Sequence, residues 1–200
     1  MSIIPAFEIG LWNAWIFMVV FIIQMFVIMF VDKKTWKKSH VPTEAKRNKY
    51  EKQVGEFANF FWLIAMIYSI FLPLKINTNL FNISLIVFVI GLVILIMATY
   101  DFITTKTNKI IKTGVYKFSR HPMYFATFIV ALSVCIATIS WLFLILTILM
   151  MFFFHKEALI EERYCLEIFG EEYKDYFQHT PRWIGLPKSG KKKEREYTNH

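Results

Sequence analysis

The run 122-PMYFATFIVALSVCIATISWLFLILTILMMFFF-154 decides how this chain folds: its 33 residues are apolar almost throughout, yet too many for one crossing of a bilayer. A membrane helix needs roughly 20 residues to cross the hydrocarbon core, so the run is long enough for two short ones. Ala137-Thr138-Ile139-Ser140 in its middle predicts a tight turn, and hence a helical hairpin. Three further apolar blocks, residues 7–31, 57–74 and 80–100, have the length of one span each. The apolar residues come in blocks rather than at strand or surface-helix periodicity, which is the membrane signal. The expectation is an all-α, polytopic membrane protein with five transmembrane helices, the last two paired as a hairpin.

Charge tests the count independently. Five spans put residues 32–56, 101–120 and everything after 154 on one side, and those segments hold 22 of the 23 Lys and Arg residues. Lys75 is the exception. Such asymmetry is what the positive-inside rule predicts, so the N-terminus is expected outside and the C-terminus in the cytoplasm. Fusing the last run into one span would move the basic tail outside, which the same rule disfavours. The first block has no basic side chain before Trp12 and no small-x-small site before Asp32, so it reads as a retained span rather than a cleaved signal. The formal charge of +8 follows from this topology and from attraction to anionic lipid, and no nucleic-acid partner is expected. Cys135 in a span and Cys165 on the cytoplasmic side offer neither a disulfide nor metal-ligand spacing, and no metal is expected.

Residues 1–188 read as a single membrane domain, and 189–200 as a basic, disordered tail. Thr43, Glu44 and Ala45 offer a start for a short cytoplasmic helix in the 32–56 segment. Leu159, Leu166, Phe169, Tyr173, Tyr176 and Phe177 recur at helical spacing. They predict an amphipathic C-terminal helix on the cytoplasmic face, ended by Pro181 and Pro187.

Two polar clusters flank the hairpin. The first is Gly114-Val115-Tyr116-Lys117-Phe118-Ser119-Arg120-His121-Pro122-Met123-Tyr124; the second is Glu161-Glu162. Ionisable groups at the mouth of a membrane helix are costly unless they bind something. Pro122 suits a first helical turn, whose free N–H groups and positive dipole end favour an anion. Arg120 adds positive charge there, and Gly114 permits a sharp turn or a close approach. Adjacent helical residues stand about 100° apart, so one of Glu161 and Glu162 is expected to point inward and to hold an ammonium or a diol. The competing reading makes Arg120 a snorkelling side chain, His121 a helix cap and the tyrosines part of the interfacial aromatic belt.

Gly-x-Tyr-x-x-x-Arg-His-Pro-x-Tyr, then a hairpin, then Glu-Glu and Phe169-Gly170-Glu171-Glu172-Tyr173-x-x-Tyr176, resembles the isoprenylcysteine carboxyl methyltransferase and phospholipid N-methyltransferase superfamily. The resemblance covers roughly residues 105–187. It implies S-adenosylmethionine as cofactor, bound on the cytoplasmic side, and a lipid or lipid-like acceptor reached from the bilayer. It implies cofactor contacts from Tyr116, His121, Pro122, Met123 and Tyr124, from the segment Asn108, Lys109, Ile110 and Ile111, and from Glu161. Membrane sterol reductases, which bind NADPH, carry a similar Arg-His-Pro-Asn-Tyr element, but Met123 stands here in place of that asparagine. One departure bears on the acceptor: the prenylcysteine enzymes place an arginine four residues before the first glutamate, and this chain has Glu157. A carboxylate there disfavours a carboxylate acceptor and favours an amine headgroup. Arg182 and Lys156 are candidates to supply the missing positive charge. An ammonium acceptor needs a base, for which Glu157 and Glu162 are the candidates.

Overall fold

The computed structural model describes residues 8–31, 47–106 and 109–187. Among them the chain is all-helical, with six α-helices: α1 Trp15–Val31, α2 Lys49–Ser69, α3 Asn79–Thr104, α4 Pro122–Thr138, α5 Trp141–Phe169 and α6 Glu171–His179. A short 3-10 turn, Gly114–Lys117, precedes α4. The expected helix start at Thr43 and the tail lie outside the described residues.

The hairpin forms where the turn residues were read. α4 ends at Thr138, Ile139 adopts a left-handed conformation (φ 54°), and Ser140 caps α5 by accepting from the Phe143 N–H at 3.2 Å. α3 and α5 are long and apolar enough to cross a membrane, while α1 and α4 are shorter apolar helices. At 1.5 Å per residue the 29 residues of α5 extend about 43 Å, beyond the roughly 30 Å hydrocarbon core. Its apolar run stops at Phe154, so the turns bearing Glu157, Glu161 and Glu162 project past it.

Three boundaries differ from the expectation. α1 starts at Trp15 because Asn13 is buried, donates to the Ile70 carbonyl at 2.7 Å and is itself held in an isolated antiparallel bridge with Pro73. α2 begins in polar sequence at Lys49, since Asn48 and Glu51 form a capping box there. The amphipathic C-terminal helix is two pieces: Gly170 turns with φ 54° and separates the end of α5 from α6, and α6 stops at His179, before Pro181.

Phe143, Met18, Leu72, Met150, Val130 and Val134 are fully buried in the core. α3 packs chiefly on α4, α2 on α5, and α4 on α5. The end opposite the charged clusters is tied by Ala14 N to Leu72 O at 2.9 Å and Lys75 N to Ala137 O at 2.9 Å. Large apolar side chains such as Ile86, Ile90, Ile96, Ile148 and Phe152 face outward along α3 and α5. Water would oppose such faces; hydrocarbon accepts them.

Candidate functional site

His121 is the residue on which the two clusters meet. It is the N-cap of α4, with Pro122 at the first helical position. Its ring places Nδ1 3.3 Å from Glu161 Oε2 and Nε2 3.2 Å from Glu162 Oε1. Adjacent glutamates thus share one partner, contrary to the expectation that a single one points inward. An imidazole has two nitrogens on opposite edges, and each takes one carboxylate. Burial alone would lower the His121 pKa, but hydrogen bonds to Glu161 and Glu162 and the charge of both outweigh it and raise it above the ordinary 6.5.

The two glutamates differ in what else they touch. Glu162, with 3% of its side chain exposed, accepts from Arg120 Nε at 2.9 Å, Arg182 Nε at 2.9 Å and Arg182 Nη2 at 2.7 Å. Glu161, with 34% exposed, accepts from the Tyr124 hydroxyl at 2.7 Å, and a carboxylate has acceptor capacity beyond these two partners. The Tyr124 ring stacks on His121 on one side, with 5.6 Å between centroids, and on Phe154 on the other at 4.7 Å. The first-turn N–H groups of Met123 and Tyr124 have no acceptor within the helix. Free N–H groups on one side and a half-exposed carboxylate on the other fit an amino-acid group, which has a carboxylate and an ammonium.

Arg120 is not free to bind an anion. It donates to Glu162 and to the carbonyls of Phe177 and Thr180, and lies 4.1 Å above the Phe177 ring. Its charge therefore closes the C-terminal end of α6, where a cation is favoured. Residues 181–185 run as a strap along 118–121: Arg120 N bonds Pro181 O at 2.9 Å, His121 N bonds Arg182 O at 3.3 Å, and Gly185 N bonds Phe118 O at 3.0 Å. Trp183 in this strap lies 6.4 Å from His121 and 5.9 Å from His155, centroid to centroid.

Gly114 serves the fold rather than a ligand. At φ 52°, a Cβ there would sit 2.0 Å from Asp101 Oδ2, and that oxygen accepts from the Val115 N–H at 3.1 Å. The remaining expected residues spread along the same face. Tyr116 is buried and its carbonyl accepts from the Tyr176 hydroxyl at 2.7 Å. Ile110 is buried against Tyr173 and Tyr176, Ile111 is half-buried and Lys109 exposed. Pro122 is fully buried and Met123 half-buried, while Asn108 lies outside the described residues.

Glu157 is not a lone carboxylate. It is buried and forms an ion pair with Arg47, from the residues just before α2. Lys156, by contrast, faces the Phe152 ring at 5.5 Å. Neither Arg47 nor Trp183 stands out in the sequence. Arg47 is one of eight basic residues in a loop whose charge topology already explains, and Trp183 follows the last helix.

Residues 78–172 match the family model of the phospholipid methyltransferases. A stretch of 79 residues, 39% of the chain, is 34% identical to the protein-S-isoprenylcysteine O-methyltransferase of Saccharomyces cerevisiae. The chain covers 32% of that relative's length. The family match takes in His121, Tyr124, Glu157, Glu161 and Glu162 and leaves out Arg47 and Arg182. Both matches fall on the stretch that carries the motifs, and both are to the integral-membrane methyltransferase superfamily that those motifs resemble.

Proposed function

We infer that the chain is an integral-membrane methyltransferase that uses S-adenosylmethionine and acts on a lipid or lipid-like acceptor. It is one domain over residues 1–188, with five spans, its N-terminus outside, and the cofactor site and C-terminus in the cytoplasm. The observation that carries the reading is the convergence of His121 and Tyr124 on Glu161, beside the free N–H groups at the start of α4. The asymmetry of basic residues supports the orientation.

When bound, S-adenosylmethionine would supply a sulfonium methyl group for an acceptor lone pair, with the C–S electrons staying on sulfur. The protein's own task is alignment and exclusion of water. Glu161 holds the ammonium of the amino-acid end, and the N–H groups of Met123 and Tyr124 its carboxylate. The Tyr124 ring, stacked between His121 and Phe154, holds its hydroxyl on Glu161 and so orients that carboxylate. Tyr116, Lys109, Ile110, Ile111 and Pro122 flank the same end, and the motif resemblance adds Asn108 to them. Glu162 and Arg182 fix His121 and the strap above it, which makes them positioning residues in this reading. Glu157, one turn before Glu161, faces the acceptor end.

The test is thermal unfolding of the purified full chain in detergent with S-adenosylhomocysteine or NADPH. Stabilisation by the first is expected. Stabilisation by NADPH alone means a reductase, and stabilisation by neither means that the chain is no enzyme of either kind.

A further inference from the structure

Arg47 stands directly before the capping box of α2, in which Asn48 and Glu51 exchange hydrogen bonds of 2.9 and 3.0 Å. The box fixes the backbone from which the guanidinium reaches Glu157. Both side chains are about nine-tenths buried, with 11% and 10% exposed. Gly55 makes the room: a Cβ at that position would stand 2.9 Å from Arg47 Nη1 and 3.6 Å from Glu157 Oε2.

The pair is incomplete. Arg47 Nε and Glu157 Oε2 are both buried and have no hydrogen-bond partner among the described residues. Buried polar atoms are almost always satisfied, and leaving one open costs free energy. A pair made for stability alone would close in the two-bonded fork that arginine and carboxylate favour. Here one donor and one acceptor are left open, one on each member of the pair. Glu157 also sits three residues past Phe154, where the apolar run ends and lipid headgroups begin, and one helical turn from Glu161. Tyr124 and Glu161 are close enough to act electrostatically on Arg47.

We propose that Arg47 and Glu157 form the headgroup-reading end of the acceptor site, with Arg47 Nε–H donating to an oxyanion and Glu157 Oε2 accepting from an N–H on the same headgroup. The inference rests on the methyltransferase reading of the neighbouring Glu161 site. A bare anion or a bare cation would satisfy only one of the two open atoms. A headgroup with both, anchored in the bilayer, satisfies both members of the pair at once. Two sources have this chemistry: the phosphate and ammonium of a phosphatidylethanolamine, and the carboxylate and amide N–H of an N-acylated prenylcysteine.

The experiment uses the full chain in phosphatidylcholine nanodiscs, whose lipid has no N–H. Binding of short-chain phosphatidylethanolamine, N-acetyl-S-farnesylcysteine and short-chain phosphatidylglycerol is measured for the wild type, Arg47→Gln, Glu157→Gln and the swap Arg47→Glu with Glu157→Arg. One of the first two probes is expected to bind at least tenfold more tightly than phosphatidylglycerol, and which one identifies the source. Each single variant should abolish that preference. The swap should restore the thermal midpoint but not the preference, and it carries the test if a single variant fails to fold. No preference in the wild type, a preference that survives both single variants, or a swap that restores preference along with stability overturns the proposal. Stabilisation by S-adenosylhomocysteine, measured on the same samples, reports on the methyltransferase reading separately. Pair-dependent headgroup binding without it would keep this site and reject that reading.

Discussion

Replacing Glu162 by alanine should loosen the end of the protein that carries the charged clusters rather than merely weaken a ligand. The carboxylate accepts from Arg120 Nε at 2.9 Å, from two nitrogens of Arg182 at 2.9 and 2.7 Å, and lies 3.2 Å from His121 Nε2. Arg120 has 7% of its side chain exposed, so it would be left as a buried charge without its counter-ion. Breaking a buried pair in this way costs about 3–5 kcal/mol. For a chain of this length each kcal/mol moves the thermal midpoint by about 2–4 °C, so a fall of roughly 6–20 °C is expected. Glu161→Ala should behave differently, because its half-exposed carboxylate ties down only Tyr124 and His121. Losing its charge-assisted bond to the cofactor costs about 1.5–3 kcal/mol, roughly 10–150-fold in affinity. The assays are tryptophan-fluorescence unfolding in one detergent and calorimetric titration with S-adenosylhomocysteine. If Glu162→Ala melts within 2 °C of the wild type yet loses more affinity than Glu161→Ala, the assignment of the two glutamates is reversed.

Stability should also depend on pH through His121. Its pKa is raised in the folded protein, so its contribution is complete below the ordinary 6.5 and is lost as the pH rises through the folded value. The difference in midpoint between wild type and His121→Gln should therefore shrink above pH 6.5; a constant difference refutes the linkage. Gly114→Ala should destabilise twice over, through the positive φ and the 2.0 Å clash with Asp101. Adding Asp101→Ala should recover only part of the lost midpoint, and full recovery would mean that φ contributes nothing. Finally, single cysteines at Asn77 and Lys174, in a background lacking Cys135 and Cys165, should label from opposite sides of the membrane. Labelling from the same side would reject the five-span topology.

The helices and the hairpin turn were legible because membrane segments announce themselves by length and apolarity, without needing a partner. Ser140 and Ile139 fall where the run had to bend. The boundaries less legible in the sequence depend on distant contacts. Asn13 stops α1 by bonding Ile70, a partner 57 residues away. Gly170 splits the last amphipathic stretch because a helical periodicity continues across a break as smoothly as through it. That the two clusters meet was equally legible, since ionisable groups beside apolar runs are costly without partners, and His121 joins them. What stayed hidden was the division of labour. Arg120 read as positive charge for an anion at the start of α4, but its donors close the end of α6; Glu162 read as a candidate base, but it is the acceptor for two arginines.

Glu157 shows most clearly how charge misleads when read one residue at a time. Alone on α5 it argues against any acceptor with a carboxylate, because like charges in a partly desolvated site repel. Arg47, 110 residues earlier, cancels that argument. The net charge at the position is close to zero, so repulsion no longer decides between an amine headgroup and a prenylcysteine. What decides is the direction in which the remaining donor and acceptor point, and whether one headgroup can meet both. A positive charge delivered from the loop before α2, rather than from α5 itself, also makes the acceptor end dependent on how that loop is held. Asn48 and Glu51 hold it, and Glu51 is in turn bonded by Tyr164 at 3.1 Å and paired with Arg163, both on the projecting end of α5. Substituting Glu51 by Gln should therefore weaken headgroup selection through Arg47 while leaving Glu161 and its partners in place. Loss of S-adenosylhomocysteine binding in that variant, measured alongside lipid binding, would show that the two ends of the site are not separable in this way.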